Sequence, residues 1–137
     1  MMIQQLDHLV LTTADETACI RFYVDVLGMT LESFQPQLAT GELGEPRKAL
    51  KFGQQKINIH LKGKEFEPKA CFPTCGALDL CFLASQPLDQ VIERLCQHDI
   101  TIIEGPVIRT GAVQKIRSVY VRDPDGNLIE ISEPVDS

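Results

Sequence analysis

Two histidines and two carboxylates recur at matching places along this 137-residue chain. His8 lies in Leu-Asp-His-Leu-Val-Leu, and Asp79 lies in Ala-Leu-Asp-Leu-Cys-Phe, 71 residues later. His60 lies in Ile-His-Leu, and Glu130 lies in Ile-Glu-Ile, 70 residues later. Imidazole nitrogen and carboxylate oxygen are the donors that a first-row divalent cation takes, and such a set leaves positions open for water or substrate. His8, His60, Glu130 and Asp79 are therefore the candidate metal ligands. Any one of them alone has a plainer reading: a lone histidine in a strand is ordinarily a hydrogen-bonded residue, and a lone Glu in an apolar strand commonly faces solvent. The repetition of the set is what argues for chemistry. His98, at a helix end in Cys-Gln-His-Asp, reads as a cap.

The elements that would carry these residues also repeat. Leu6 to Thr12 alternates as a strand, with Leu6, His8 and Val10 on one face. Thr13-Ala-Asp-Glu16 reads as a capping box. Cys19, Phe22, Tyr23, Val26 and Leu27 follow at helical spacing, and Gly28 is placed to end that helix. Strand signals come at Met29 to Phe34, Ala49 to Phe52 and Lys56 to Leu61, with a Gly- and Pro-rich loop from Gln35 to Lys48. The second half offers a strand at Leu78 to Leu83 and a helix opened by Ser85 and Pro87, with an apolar stripe at Leu88, Val91, Ile92, Leu95 and Cys96. Strands are predicted at Ile100 to Glu104, Ser118 to Arg122 and Leu128 to Ser132, the last two joined by the turn Asp123-Pro-Asp-Gly126. The expected architecture is α+β: one domain over 1–137, with repeat one at about 5–61, a linker at 62–75 and repeat two at about 76–133. Each repeat is βαβββ, and the strands cup a metal cleft. Each repeat alone exposes an apolar face, so the halves must pair within the chain or across a dimer.

The net charge of −6 argues against nucleic acid and against an anionic membrane surface, which both need clustered Lys and Arg. It leaves room for a small anionic substrate in a locally basic pocket. Arg109, Lys69 and Arg117, with Arg47 and Lys48, are candidates to hold a substrate carboxylate; for each singly, a solvated surface charge is the plainer reading. No stretch reaches membrane-span length, and Met1 to Asp7 lacks the pattern of a signal peptide. The cysteines number five, an odd count, and read as reduced thiols in a cytoplasmic protein. Cys71 and Cys75 do not have a standard zinc or redox spacing. The segment Lys62 to Gly76, with Phe66, Pro68 and Pro73, is a candidate lid.

Asp7-His8-Leu-Val-Leu, Phe22-Tyr23 with Leu27-Gly28-Met29, and Asp123-Pro-Asp-Gly-Asn-Leu-Ile-Glu130 resemble the vicinal-oxygen-chelate (VOC) superfamily, which includes glyoxalases, bleomycin-resistance proteins and extradiol dioxygenases. The resemblance runs from about Leu6 to Ser132. Lys-Ile-Asn-Ile-His60, Gly63-Lys-Glu-Phe-Glu-Pro-Lys69 and Glu104-Gly-Pro-Val-x-Arg-Thr-Gly111 look most like the glyoxalase-domain-containing protein 5 group. The resemblance implies a cupped sheet around one divalent metal ion (Ni, Zn, Fe, Mn or Co), a small-molecule substrate chelated through vicinal oxygens, and a homodimer. His8 and Glu130 match the family's ligand positions; His60 falls where a carboxylate or amide is usual, and Asp79 where His is common. The leading expectation is a glyoxalase-like lyase or isomerase of the lactoylglutathione lyase type, with Glu130 or Asp79 moving the proton. One alternative is an Fe(II) extradiol-type dioxygenase acting on catechols or biphenyl diols, with Tyr120 near the substrate. The other is a binding protein of the resistance type, without turnover.

Overall fold

In the computed structural model, which describes residues 1–136, the backbone forms two compact units, Met1–Cys75 and a second that begins at Gly76. In the first, β1 (His8–Thr13) leads into a helix, α1 (Glu16–Ile20), which continues as a π-helical stretch at Arg21–Val26. Then come β2 (Thr30–Phe34), β3 (Arg47–Phe52) and β4 (Gln55–Leu61). The sheet order is β1-β4-β3-β2. β1 runs parallel to β4, which needs a long crossover, and the intervening helix and hairpin supply it. The helix starts two residues later than the capping-box reading. Asp15 is the cap, its Oδ1 accepting the Ala18 N–H at 3.1 Å. Thr13 instead accepts the Asp15 N–H on its Oγ1, and Glu16 pairs with Lys48. Gly28 ends the helix at φ +81°, as the sequence suggests.

The strand alternation divides this sheet cleanly. Leu11, Leu50, Ile57 and Ile59 are buried on one face, together with Cys19, Phe22, Tyr23 and Val26 of the helix. Each such side chain stabilises the unit by roughly 1.5–3 kcal/mol on burial. The other face carries His8, Asn58, His60, Arg47, Lys51 and Lys56, a polar set that the core does not use.

The second unit repeats the plan with β5 (Asp79–Leu83), α2 (Leu88–Gln97), β6 (Glu104–Thr110), β7 (Lys115–Arg122) and β8 (Leu128–Pro134), in the order β5-β8-β7-β6. The fold is thus α+β, with the repeated strands in two four-stranded mixed sheets. α2 packs on β7 and β8. Leu88, Val91 and Leu95 are buried there, as are Val119, Val121, Ile129 and Ile131. The N-terminus of α2 is capped from afar: Glu133 Oε2 accepts the Leu88 N–H at 2.9 Å. Among the described residues, no helix is long and apolar enough to cross a membrane.

The strand expected at Ile100 to Glu104 begins only at Glu104 and runs on to Thr110. Its ladder to β7 is interrupted between Glu104 and Val107, where Gly105 takes φ +108°. A Cβ on Gly105 would stand 2.4 Å from the Ser118 carbonyl oxygen. Because that neighbour is backbone, it has little room to give. Gly105→Ala is therefore expected to lower stability by about 2 kcal/mol or more. Urea unfolding of both forms measures it, and a loss within experimental error would refute the strain.

Candidate functional site

On the second sheet, one face is committed to α2 and the other carries chemistry. Cys81 pairs with Glu130 across β5 and β8, and Glu130 pairs with Tyr120 across β8 and β7. Paired residues point to the same side, so the three side chains form a row. They line a cavity of about 480 Å³ with Arg109, Ile116, Val113 and Leu83 among its other walls. This is the mainly apolar, few-polar-group lining expected of a small-molecule site.

The polar groups in that row are held in place. Ser118, buried on β7, donates to Glu130 Oε2 at 2.6 Å. Ser118 and Ser132 are themselves 2.6 Å apart, so a buried hydroxyl pair fixes one oxygen of the carboxylate. Arg109 donates from Nε to the Tyr120 hydroxyl oxygen at 3.0 Å and from Nη2 to Glu104 at 3.2 Å. Burial pushes the Tyr120 phenol above its ordinary range, against the pull of Arg109, and Glu130 adds to the rise. Tyr120 thus stays protonated at neutral pH and remains a donor. Burial likewise raises the Cys81 thiol, so it is no nucleophile at neutral pH. Asp79 is exposed, opposite Leu128 and two pairs along the ladder from Cys81 and Glu130.

The first unit's open face arranges its donors differently from the sequence reading. His8 pairs with Lys56, Val10 with Asn58 and Thr12 with His60. His8 and His60 share a face but stand four residues apart along the ladder, about 13 Å. That is too far for one ion. Comparison of the two ladders shows why. His8 opposite Lys56 corresponds to Asp79 opposite Leu128, and Val10 opposite Asn58 corresponds to Cys81 opposite Glu130. The counterpart of Glu130 is therefore Asn58, a residue the sequence reading passed over, and His60 matches Ser132. Asn58 Oδ1 is buried without a hydrogen-bond partner. His8 is half exposed and its Nδ1 lies 2.8 Å from Asp7.

His60 is buried on this face. Its ring meets Phe66 edge-on, with centroids 5.5 Å apart. Burial first, and then the Arg47 charge, lower its pKa, while Glu65 works the other way. Three further candidates are engaged by carboxylates of the chain itself. Arg117 does not face the cavity: it follows the opposite strand parity to Ser118 and Tyr120, and it bridges Asp89 of α2 and Glu133 of β8 at 3.3 and 3.0 Å. Lys69 pairs with Glu67 at 3.0 Å in the first unit. Lys48 pairs with Glu16. Of the carboxylate-binding candidates, Arg109 alone lines this cavity. Cys71 and Cys75 are not joined in a disulfide.

No group of three or more His, Cys, Asp or Glu side chains among the described residues is placed to hold a metal ion. Neither unit by itself supplies a complete centre, and the chemistry derived below is that of the protein's own side chains.

Residues 5–131 match the Glyoxalase/Bleomycin resistance protein/Dioxygenase superfamily. The chain belongs to this superfamily. Over 135 residues it is 52% identical to virulence protein STM3117 of Salmonella typhimurium, covering 98% of this chain and 88% of that protein. The crystal structure of that protein aligns with a TM-score of 0.85 over 98% of this chain and 100% of the other. The chain is also 49% identical to the glyoxalase domain-containing protein RDO1 of Mycosarcoma maydis, covering all of this chain and 72% of that protein. A structure from the mobile metagenome of V. Pseudocholerae aligns with a TM-score of 0.89 at 48% identity, covering 99% of this chain and 98% of that one. Superfamily members bind small molecules and commonly use a divalent metal.

Proposed function

We propose that this superfamily member is a glyoxalase-like lyase or isomerase acting on a small α-oxo or vicinal-oxygen substrate in the cavity of the second unit. The observation that carries the reading is a fixed carboxylate beside an Arg-supported phenol in one pocket. Glu130 is held by Ser118 through Oε2, and Tyr120, opposite it, is held by Arg109. In the proposed step, Glu130 takes the proton from the carbon next to a substrate carbonyl. The C–H electron pair moves into the carbonyl as an enolate, whose oxygen is stabilised by the Tyr120 O–H and the Arg109 charge. Where that first carbon bears a hydroxyl, Glu130 then returns the proton to the former carbonyl carbon, the hydroxyl becomes the new carbonyl, and its proton passes to the enolate oxygen, so no oxidant or reductant is consumed. Asp79, at the edge of the same sheet face, is the reserve base.

The test is exchange of substrate protons with deuterated solvent, or isomerisation, across a panel of α-oxo aldehydes and their thiol adducts. Turnover with at least one is expected; silence across the panel removes the reading. Fe(II)-dependent oxygen uptake with catechols would replace it with the dioxygenase alternative, and tight binding without turnover would replace it with the resistance-type one. The reading includes a homodimer in the cytoplasm, consistent with the odd count of five cysteines.

A divalent ion, when bound, would polarise the substrate oxygens. The proposed metal donors are His8 and Asn58 in the first unit and Asp79 and Glu130 in the second. The purified protein is expected to carry metal and to lose it on His8→Ala or Glu130→Ala. His60→Ala is expected to retain it, because His60 stands four pairs along the ladder from His8. Elemental analysis of the three variants checks this. Metal loss in His60→Ala equal to that in His8→Ala would contradict the assignment.

A further inference from the structure

The open face of the first sheet holds a second polar cluster that the chemistry above does not use. Arg47 at the start of β3 follows the same strand parity as His60, since the next residue, Lys48, pairs with Ile59. Its guanidinium carbon lies over the Phe66 ring, 4.2 Å from the centroid. Among the described residues it has no acidic partner within ion-pair distance. Its Nε is buried with no hydrogen-bond acceptor. Beside it, His60 is 8% exposed, and no side-chain hydrogen bond from its ring occurs among the described residues.

A buried N–H without an acceptor is costly, and so is a half-buried cation without an anion. In a chain of net charge −6, acidic partners are abundant, yet none is placed at Arg47. The contact with Phe66 holds the guanidinium in place and leaves its N–H groups to donate. The imidazole of His60 adds a donor or acceptor on the same side. Lys51 and Lys56 stand on the same face, Lys56 over the Phe34 ring at 4.3 Å and Lys51 paired with Glu32 at 3.9 Å, while Glu65 bears on His60 without pairing with Arg47.

We propose that Arg47 and His60, backed by Phe66, form a binding site for a small carboxylate on the open face of the first sheet. The geometry favours a planar carboxylate because the guanidinium edge can meet both of its oxygens. The site stands whether or not the catalytic reading of the second unit holds. Phosphate, a tetrahedral anion, serves as the contrast.

The test uses the full-length protein and follows the His60 and Arg47 side-chain signals by NMR during titration with acetate, benzoate and inorganic phosphate. Saturable shifts with a carboxylate, weaker with phosphate, are expected. Arg47→Gln should weaken carboxylate binding at least about tenfold. Arg47→Lys, which keeps the charge without the planar edge, should fall between, and Lys115→Gln on β7 should leave binding unchanged. The backbone spectrum of each variant reports folding, and Arg47→Lys carries the test if Arg47→Gln is unfolded. Absence of saturable shifts, equal binding by Arg47→Gln, or tighter binding of phosphate than of carboxylate would each overturn the proposal.

Discussion

Glu130→Gln is expected to lower kcat for proton exchange or isomerisation by a factor of about 10² to 10⁴, with KM little changed. The substitution is nearly isosteric. The Ser118 hydroxyl, 2.6 Å from Oε2, finds an amide oxygen in the same place, so the buried Ser118–Ser132 pair keeps its partner. Cys81 and Tyr120 on the flanking strands keep their neighbour as well. What is lost is a group able to accept a proton and hold it. Because fold and cavity are retained, a large fall in kcat reports chemistry rather than collapse, and thermal melting of the variant verifies that. Activity within a fewfold of the parent would remove Glu130 as the base and turn attention to Asp79, which lies two pairs away on the same face. A rise in KM with kcat preserved would instead assign Glu130 to substrate binding.

The sequence made the faces legible and left the register hidden. Alternation around His8, His60 and Glu130 places each on the side of its strand away from the helices, and the structure agrees. The match of Ile59-His60-Leu61 to Ile129-Glu130-Ile131 nevertheless slips by two residues against the ladder, where Asn58 corresponds to Glu130. A shift of two preserves the side on which every residue points, so a period-2 pattern cannot detect it. The signal that would have found Asn58 is a polar side chain at matching distance from β1, but Asn rarely stands out beside a His two residues on. The role of Arg117 was hidden for another reason. Its partners, Asp89 and Glu133, are brought to it by α2 and β8, and no local spacing announces them. The strand signal at Ile100 to Glu104 stops short of Gly105 and Pro106, whereas the chain uses these two as an irregularity inside the β6 ladder. The turn at Asp123 to Gly126 was legible because its own side chains build it: Asp123 accepts the Asp125 and Asn127 N–H groups, and Gly126 takes φ +90°.

Tyr120→Phe is expected to reduce kcat by about 10² and Arg109→Gln by at least as much, with the double variant little worse than Arg109→Gln alone. The argument rests on the direction of one hydrogen bond. Arg109 Nε donates to the phenol oxygen, so the Tyr120 proton has to point elsewhere, toward Glu130 or a substrate oxygen in the cavity. Burial holds that phenol protonated, against the opposing pull of Arg109. Removing the hydroxyl therefore deletes a donor aimed at the developing enolate, while removing Arg109 deletes both the nearby charge and the force that orients the donor. A donor that is no longer oriented is worth little, which is why the two losses should overlap. Glu104 bears on the outcome, because it pairs with Arg109 Nη2 at 3.2 Å and would be left beside the cavity without its cation. Arg109→Lys should recover part of the rate through charge alone. Fully additive losses in the double variant would mean that Arg109 and Tyr120 act separately, and the oriented-donor mechanism would have to be abandoned.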